Sequence, residues 1–164
     1  MLRQMSPSSE SRIRLGQRAD LPAVLALLQS AKLPTTDLAS TVELRTWVVE
    51  SSGSLHGVIA LERFGTDGLL RSLAVEPGYR HLGVGRELVA RLEHDALQSG
   101  VQKLVLLTET AESFFQSLGY ERVDRGDVGA AVKESAQFRS LCPASAACMA
   151  KTLVTPSATR PSHA

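Results

Sequence analysis

The segment Val75–Val89, VEPGYRHLGVGRELV, decides how the rest of the chain is read. Gly78, Gly83 and Gly85 stand between an apolar run, Gly68–Val75, and a periodic one in which Val84, Leu88, Val89, Leu92 and Ala96 recur at helical spacing. The pattern is strand, short loop, amphipathic helix ending near Gly100. The first amides of a helix have no intrahelical partner, and its dipole favours negative charge there. Glycines let an anion approach bare backbone, so a pyrophosphate is a natural ligand for this turn.

Two familiar phosphate loops do not fit. Gly78 and Gly83 have Walker A spacing, but Val84 and Gly85 follow where Lys and a hydroxyl residue are needed for triphosphate and magnesium. Gly83-Val84-Gly85 begins like a dinucleotide fingerprint, yet Leu88 occupies its third glycine position. What remains is Arg80-x-x-Gly83-x-Gly85 at a helix start.

Outward from this segment the chain alternates strand and helix signals. Ile13–Gln17 reads as a strand, and Asp20 as the N-cap of a helix whose face is Leu21, Val24, Leu25 and Leu28. Leu33–Leu38 has turn chemistry and leads toward a short second helix. Thr46–Ser52 and Ser54–Phe64 flank Gly53 as a hairpin. Downstream, Lys103–Thr108 (KLVLLT) is a buried-strand run, Ala111–Gly119 a short helix closed by glycine, and Tyr120–Arg125 the start of a last strand. The expected class is a mixed α/β domain over residues 12–153, with Ser- and Pro-rich tails at 1–11 and 154–164.

Composition narrows the function. The 164 residues carry formal net charge +1, with 18 Lys and Arg scattered among 17 Asp and Glu, which leaves no footprint for nucleic acid or an anionic membrane. No apolar run reaches the roughly 20 residues of a membrane span, and the first residues lack the apolar core of a secretory signal. A cytoplasmic protein is expected. Cys142 and Cys148 are the only cysteines, and His56, His81 and His94 show no metal-ligand spacing, so no metal is expected.

The sequence of strand, Arg80-His81-Leu82-Gly83-Val84-Gly85 and helix resembles motif A of the GNAT superfamily of N-acetyltransferases, whose signature is Q/R-x-x-G-x-G/A. Phe114–Tyr120, FFQSLGY, resembles the end of the family's motif B, and Ile13–Leu28 its opening strand and helix. More narrowly, Leu33–Leu38, Gly68–Val75, Phe114–Tyr120 and Phe138–Met149 together resemble the group found with arsenic resistance genes.

The resemblance implies a single domain whose mostly antiparallel mixed sheet has a central parallel strand pair splayed around acetyl-CoA, with helices on both faces. It implies that Leu73, Ala74 and Val75 bind the pantetheine arm and that the backbone of Arg80, His81, Leu82, Gly83, Val84, Gly85 and Arg86 holds the pyrophosphate. Thr110 and Phe114 also face the cofactor in that pattern. An amide of Ala74 or Val75 would polarise the thioester carbonyl. The acceptor would be a small amine-bearing molecule, with an amino-acid-like organoarsenical as the leading class, and GNAT proteins are often homodimers. Arg71, Ser72, Arg139 and Cys142 are the acceptor-side candidates, since a guanidinium forks onto carboxylates and a thiolate suits a soft arsenical.

In the common pattern a tyrosine four residues before the motif B glycine protonates the departing thiolate, and here Phe115 stands in its place. Water, Thr108, Thr110 or Glu109 are the substitutes on offer, and departure of the thiolate without direct protonation is the other route. Arg71 is read either as a residue on an exposed strand face or as an acceptor-site guanidinium, and the two cysteines either as small buried residues or as acceptor thiols. A non-catalytic acetyl-CoA or arsenical sensor, or a protein N-acetyltransferase, is the alternative function.

Overall fold

The computed structural model describes residues 11–36, 38, 44–141 and 145–153, without the side chains of 140 and 141. The expected tails, apart from Ser11, lie outside the described residues, as do Cys142 and parts of the 33–44 segment.

Seven strands, β1 (Arg12–Leu15), β2 (Leu44–Ser51), β3 (Ser54–Phe64), β4 (Asp67–Val75), β5 (Lys103–Thr108), β6 (Glu121–Arg122) and β7 (Ala147–Thr152), form one sheet in the order β1-β2-β3-β4-β5-β7-β6. The helices are α1 (Leu21–Ser30), α2 (Val84–Gln98), α3 (Glu112–Ser117) and α4 (Ala130–Lys133). β1 and β2 are antiparallel, as are β5 and β7, and β6 and β7. β4 and β5 are parallel, with Asp67 opposite Lys103 and Leu69 opposite Val105. The chain therefore has the expected mixed α/β fold with a parallel pair within a mostly antiparallel sheet.

Local chemistry explains the joints. Ser52 and Gly53 both have positive φ, 54° and 80°, the conformation of a two-residue turn that suits the right-handed twist of a hairpin. None of the described helices is long and apolar enough to cross a membrane.

The chain divides into two compact units, each with its own core. The first comprises residues 1–61 and 72–92. Its core gathers Val24, Leu27 and Leu28 of α1 with Val48 of β2, Val58 of β3 and Ala74 of β4, and Leu25 lies at the margin. The second comprises residues 62–71 and 93–164. Leu69 of β4, Val105 of β5 and Cys148 and Ala150 of β7 pack there with Val128 and Val132.

Two expectations change in detail. Asp20 does not cap α1 through its side chain. Its carboxylate accepts instead from the Gln17 amide at 2.7 Å and from both terminal nitrogens of Arg14 at 2.9 and 3.0 Å, because a guanidinium fork outcompetes a helix amide for the same oxygens. Thr36 and Leu38 lie in turns, in line with the turn chemistry of Leu33–Leu38, and the short second helix expected to follow lies outside the described residues. The last strand expected at Tyr120–Arg125 is only the two residues of β6, and the strand that pairs with it and with β5 is β7.

Candidate functional site

The first unit contains the loop that opened the sequence reading. Within β4, Ser72 has φ 60°, a left-handed conformation that costs a non-glycine residue about 1–3 kcal/mol and re-aims the strand beyond it. Leu73 and Val75 are half-buried and Ala74 is buried. A single-turn 3₁₀ helix, Pro77–Tyr79, follows, and the amides of Tyr79 and Arg80 donate to the carbonyls of Glu76 and Pro77 at 2.8 and 3.3 Å. His81 and Gly83 are left-handed, with φ 67° and 83°. A Cβ built on Gly83 would meet nothing within 4 Å, so the glycine is set by its backbone angle and opens onto free space. Gly85 lies within α2 and has no positive φ. Glu87 donates to Gly83 O at 3.0 Å as the first turn closes, leaving the amides of Val84, Gly85 and Arg86 as the unpaired set of a helix start.

Arg80 departs from its expected part. Its amide already has an acceptor, and its Nε donates to Val75 O at 3.1 Å. The side chain thus ties the loop to the end of β4, and the loop amides without a backbone acceptor begin at His81. Leu82, on the same loop, is 67% exposed.

A constellation that sequence reasoning missed adjoins this loop. His56 of β3 contacts Glu76, with Nδ1 2.7 Å from Oε1, and stacks on Tyr79 with ring centroids 3.9 Å apart. Twenty residues separate His56 from Glu76, and no periodicity links them.

The second unit holds the remaining candidates. Glu109 and Thr110 are exposed beyond the end of β5, where the Ala111 amide donates to Thr108 Oγ1 at 3.0 Å and starts α3. On α3, Phe114 is half-buried and Phe115 is 4% exposed. Phe115 meets Phe114 and Tyr120 edge to face, with centroids 5.0 and 5.4 Å away. The Tyr120 hydroxyl donates to Glu93 Oε2 at 2.8 Å. Lys151 Nζ donates to both Glu93 oxygens at 3.1 Å and to Leu118 O at 2.8 Å. Burial, followed by the Glu93 carboxylate, pushes the Tyr120 phenol well above its ordinary range. Nothing in the spacing of Glu93, Tyr120 and Lys151 announces this cluster.

Arg71 is not on an exposed strand face: its side chain is fully enclosed, with Nη1 3.4 Å from Glu62 Oε1. Arg139 is exposed, and its amide donates to Ser135 O at 2.9 Å. Cys148 is buried opposite Leu107 of β5, where desolvation pushes its thiol up. Leu73 to Arg86 are thus gathered with Ser72 in one unit, while Arg71, Glu109, Thr110, Phe114 and Arg139 belong to the other.

Residues 43–122 match the family model described as an acetyltransferase (GNAT) domain. The chain is 36% identical over 80 residues to Probable N-acetyltransferase 14 of Danio rerio, covering 45% of this chain and 29% of that protein. It is 38% identical over 76 residues to the amino-acid acetyltransferase of Ectopseudomonas mendocina, covering 45% of this chain and 18% of that one. The matches thus span less than a third of these relatives. Among solved structures, N-acetylglutamate synthase of Neisseria gonorrhoeae complexed with coenzyme A and N-acetyl-glutamate superposes with TM-score 0.76 at 21% identity, covering 88% of this chain and 35% of that one.

Proposed function

We propose that this chain, whose residues 43–122 carry a GNAT acetyltransferase domain, transfers the acetyl group of acetyl-CoA to the amino group of a small amino-acid-like molecule. The observation that carries the reading is the loop after β4: left-handed His81 and Gly83 lead into the unpaired first amides of α2, with open space at Gly83. A pyrophosphate fits that cradle, because its donors are backbone and a Cβ at Gly83 would intrude on it. The amino-acid class of acceptor follows from the relatives named amino-acid acetyltransferases.

Acetyl-CoA supplies the thioester as an activated acyl group. The chain's own part is positioning. The amides from His81 to Arg86 hold the diphosphate, and the backbone of Leu73, Ala74 and Val75 orients the arm, with an amide of Ala74 or Val75 polarising the carbonyl. Thr110 and Phe114 complete the cofactor side. The amine must arrive neutral, and Glu109, exposed to solvent, is a candidate to protonate the departing thiolate in place of the tyrosine. Arg71, Ser72, Arg139 and Cys142 remain the assigned acceptor-side candidates. An organoarsenical amino acid is the finer substrate assignment, and the arsenic-resistance group the finer family one; both rest on the likeness of short segments alone.

Phe115, where a proton-donating tyrosine is the family's pattern, favours one second reading, a binder of acetyl-CoA without turnover. The test is CoA thiol release against a panel of α-amino acids, an arsenical amino acid and a peptide with a free N-terminus. Release with an amino acid supports the proposal, and acetyl-CoA binding without release on any acceptor supports the binder. Gly83→Asp should cut acetyl-CoA affinity at least tenfold, since a strained Cβ and a carboxylate enter the anion space. Equal affinity of folded variant and parent by calorimetry would remove the loop from the site.

A further inference from the structure

We propose that His56 is a positioning residue for the anion-binding loop: from β3 it clamps the Glu76–Tyr79 turn through which that loop leaves β4. The inference rests on the acetyl-CoA reading of the loop. Three contacts fix the turn at three kinds of point. The Glu76 amide donates to His56 O at 2.8 Å and holds the backbone. His56 Nδ1–H donates to Glu76 Oε1 at 2.7 Å and holds the carboxylate. The imidazole stacks on the Tyr79 ring, with centroids 3.9 Å apart and planes 18° from parallel, and holds the side of the turn. His56 Nε2 lies 3.4 Å from Ser51 O, which fixes the ring from behind.

The loop needs an external hold. Inside the segment, the turn is closed by the amides of Tyr79 and Arg80, the second at 3.3 Å, and nothing meets the faces of Gly78 or Gly83 within 4 Å. A cradle of amides stabilises a diphosphate only if its donors already point at one place, because ordering them on binding consumes affinity. The His56 side chain is 12% exposed and Glu76 47% exposed, so the contact lies at the solvent margin and holds the turn by its geometry together with the Tyr79 stack. Arg80, through Nε on Val75 O, ties the far side of the same turn to β4. Removing the His56 hold should therefore weaken cofactor binding and leave the acceptor and the chemical step alone.

The experiment measures acetyl-CoA Kd by calorimetry, with KM for both substrates and kcat, on the parent, His56→Ala, Glu76→Gln and Tyr79→Ala. In His56→Ala the acetyl-CoA Kd and KM should rise about tenfold, the scale of losing a charge-assisted hydrogen bond. Acceptor KM and kcat should stay within about twofold. Glu76→Gln, which keeps an acceptor but no charge, should show a smaller rise. The double variant of His56→Ala with Tyr79→Ala should be less impaired than the two singles added, since both loosen one contact. Unchanged Kd in folded His56→Ala overturns the proposal, as does a loss shared equally by acceptor KM and kcat. If His56→Ala does not fold, Glu76→Gln decides, and a parental Kd there overturns it. A parent that binds no acetyl-CoA overturns the functional reading as well; a parent that binds it beside variants that bind it equally overturns this inference alone.

Discussion

Tyr120 stands edge-on to Phe115 at 5.4 Å and turns its hydroxyl away to Glu93, 2.8 Å from Oε2. The phenol beside Phe115 is thus committed to a carboxylate that also holds Lys151. Its hydroxyl is held by the packing of the second unit. Tyr120→Phe should cost about 1.5–3 kcal/mol, the worth of a hydrogen bond to a charged acceptor, while kcat stays at the parental value. Urea unfolding and steady-state kinetics check both halves, and a large fall in kcat at preserved stability would assign Tyr120 to catalysis.

Arg71 and Glu62 form an enclosed pair, with the guanidinium fully buried and Glu62 12% exposed. Removing either side chain breaks a buried charged contact. Arg71→Ala should lose about 3–5 kcal/mol, and combining Arg71→Met with Glu62→Gln should recover much of it, because a neutral pair avoids the desolvation cost. Chemical denaturation of the three proteins measures this. Acceptor KM in the folded double variant then tests the acceptor role: a rise at constant acetyl-CoA KM assigns it, and parental kinetics confine Arg71 to support.

The junction of β1, β2 and α1 should be acid-sensitive. The Arg14 side chain, foremost, and the Gln17 amide hold the Asp20 carboxyl below its ordinary pKa of 3.8, against the opposing effect of burial. A carboxyl depressed in the folded state contributes stability that is complete above its unfolded pKa and disappears as pH falls through the folded one. Asp20→Asn should therefore be less stable than the parent at pH 7, with the gap closing below about pH 4. Thermal melts from pH 7 to pH 3 check it, and a gap that stays constant with pH would mean that Asp20 acts only through neutral hydrogen bonds.

Elements with a strong local signal were legible in the sequence. Lys103–Thr108 is β5 to the residue, because a continuous run of Leu and Val admits only a strand buried on both faces. The glycine segment and the apolar period of α2 were legible for the same reason. β7 was not. Its sequence, ACMAKT, is poor in β-branched and aromatic residues, and it becomes a strand because β5 and β6 offer it hydrogen-bonding edges on both sides. At the candidate site, the turn into α2 could be read, since its backbone conformation is encoded by glycine. The hold of His56 on Glu76 and Tyr79, the enclosure of Arg71 and the inward turn of Arg80 could not, because each depends on which side chain a distant strand presents. Asp20 was legible as the N-cap position of α1, but the pairing of its side chain with Arg14 was not.

Phe115→Tyr is the substitution that asks whether this site lacks an acid. A phenol there would restore the family's pattern, and general acid catalysis contributes about 10²–10⁴-fold where it operates. The surroundings argue against a gain. Phe115 is 4% exposed and closed in by the edges of Phe114 and Tyr120, in contacts that need ring carbon and offer no acceptor. A hydroxyl placed in that setting loses its water, at a cost of about 1–3 kcal/mol. The Tyr120 hydroxyl escapes that cost only through Glu93, which is already shared with Lys151. The variant should therefore melt lower and turn over no faster, and the proton for the leaving thiolate should still come from solvent. Tm together with kcat as a function of pH decides the matter. A rise of tenfold or more in kcat would show that the parent works without an effective acid and that the Phe115 pocket reaches the reacting sulfur.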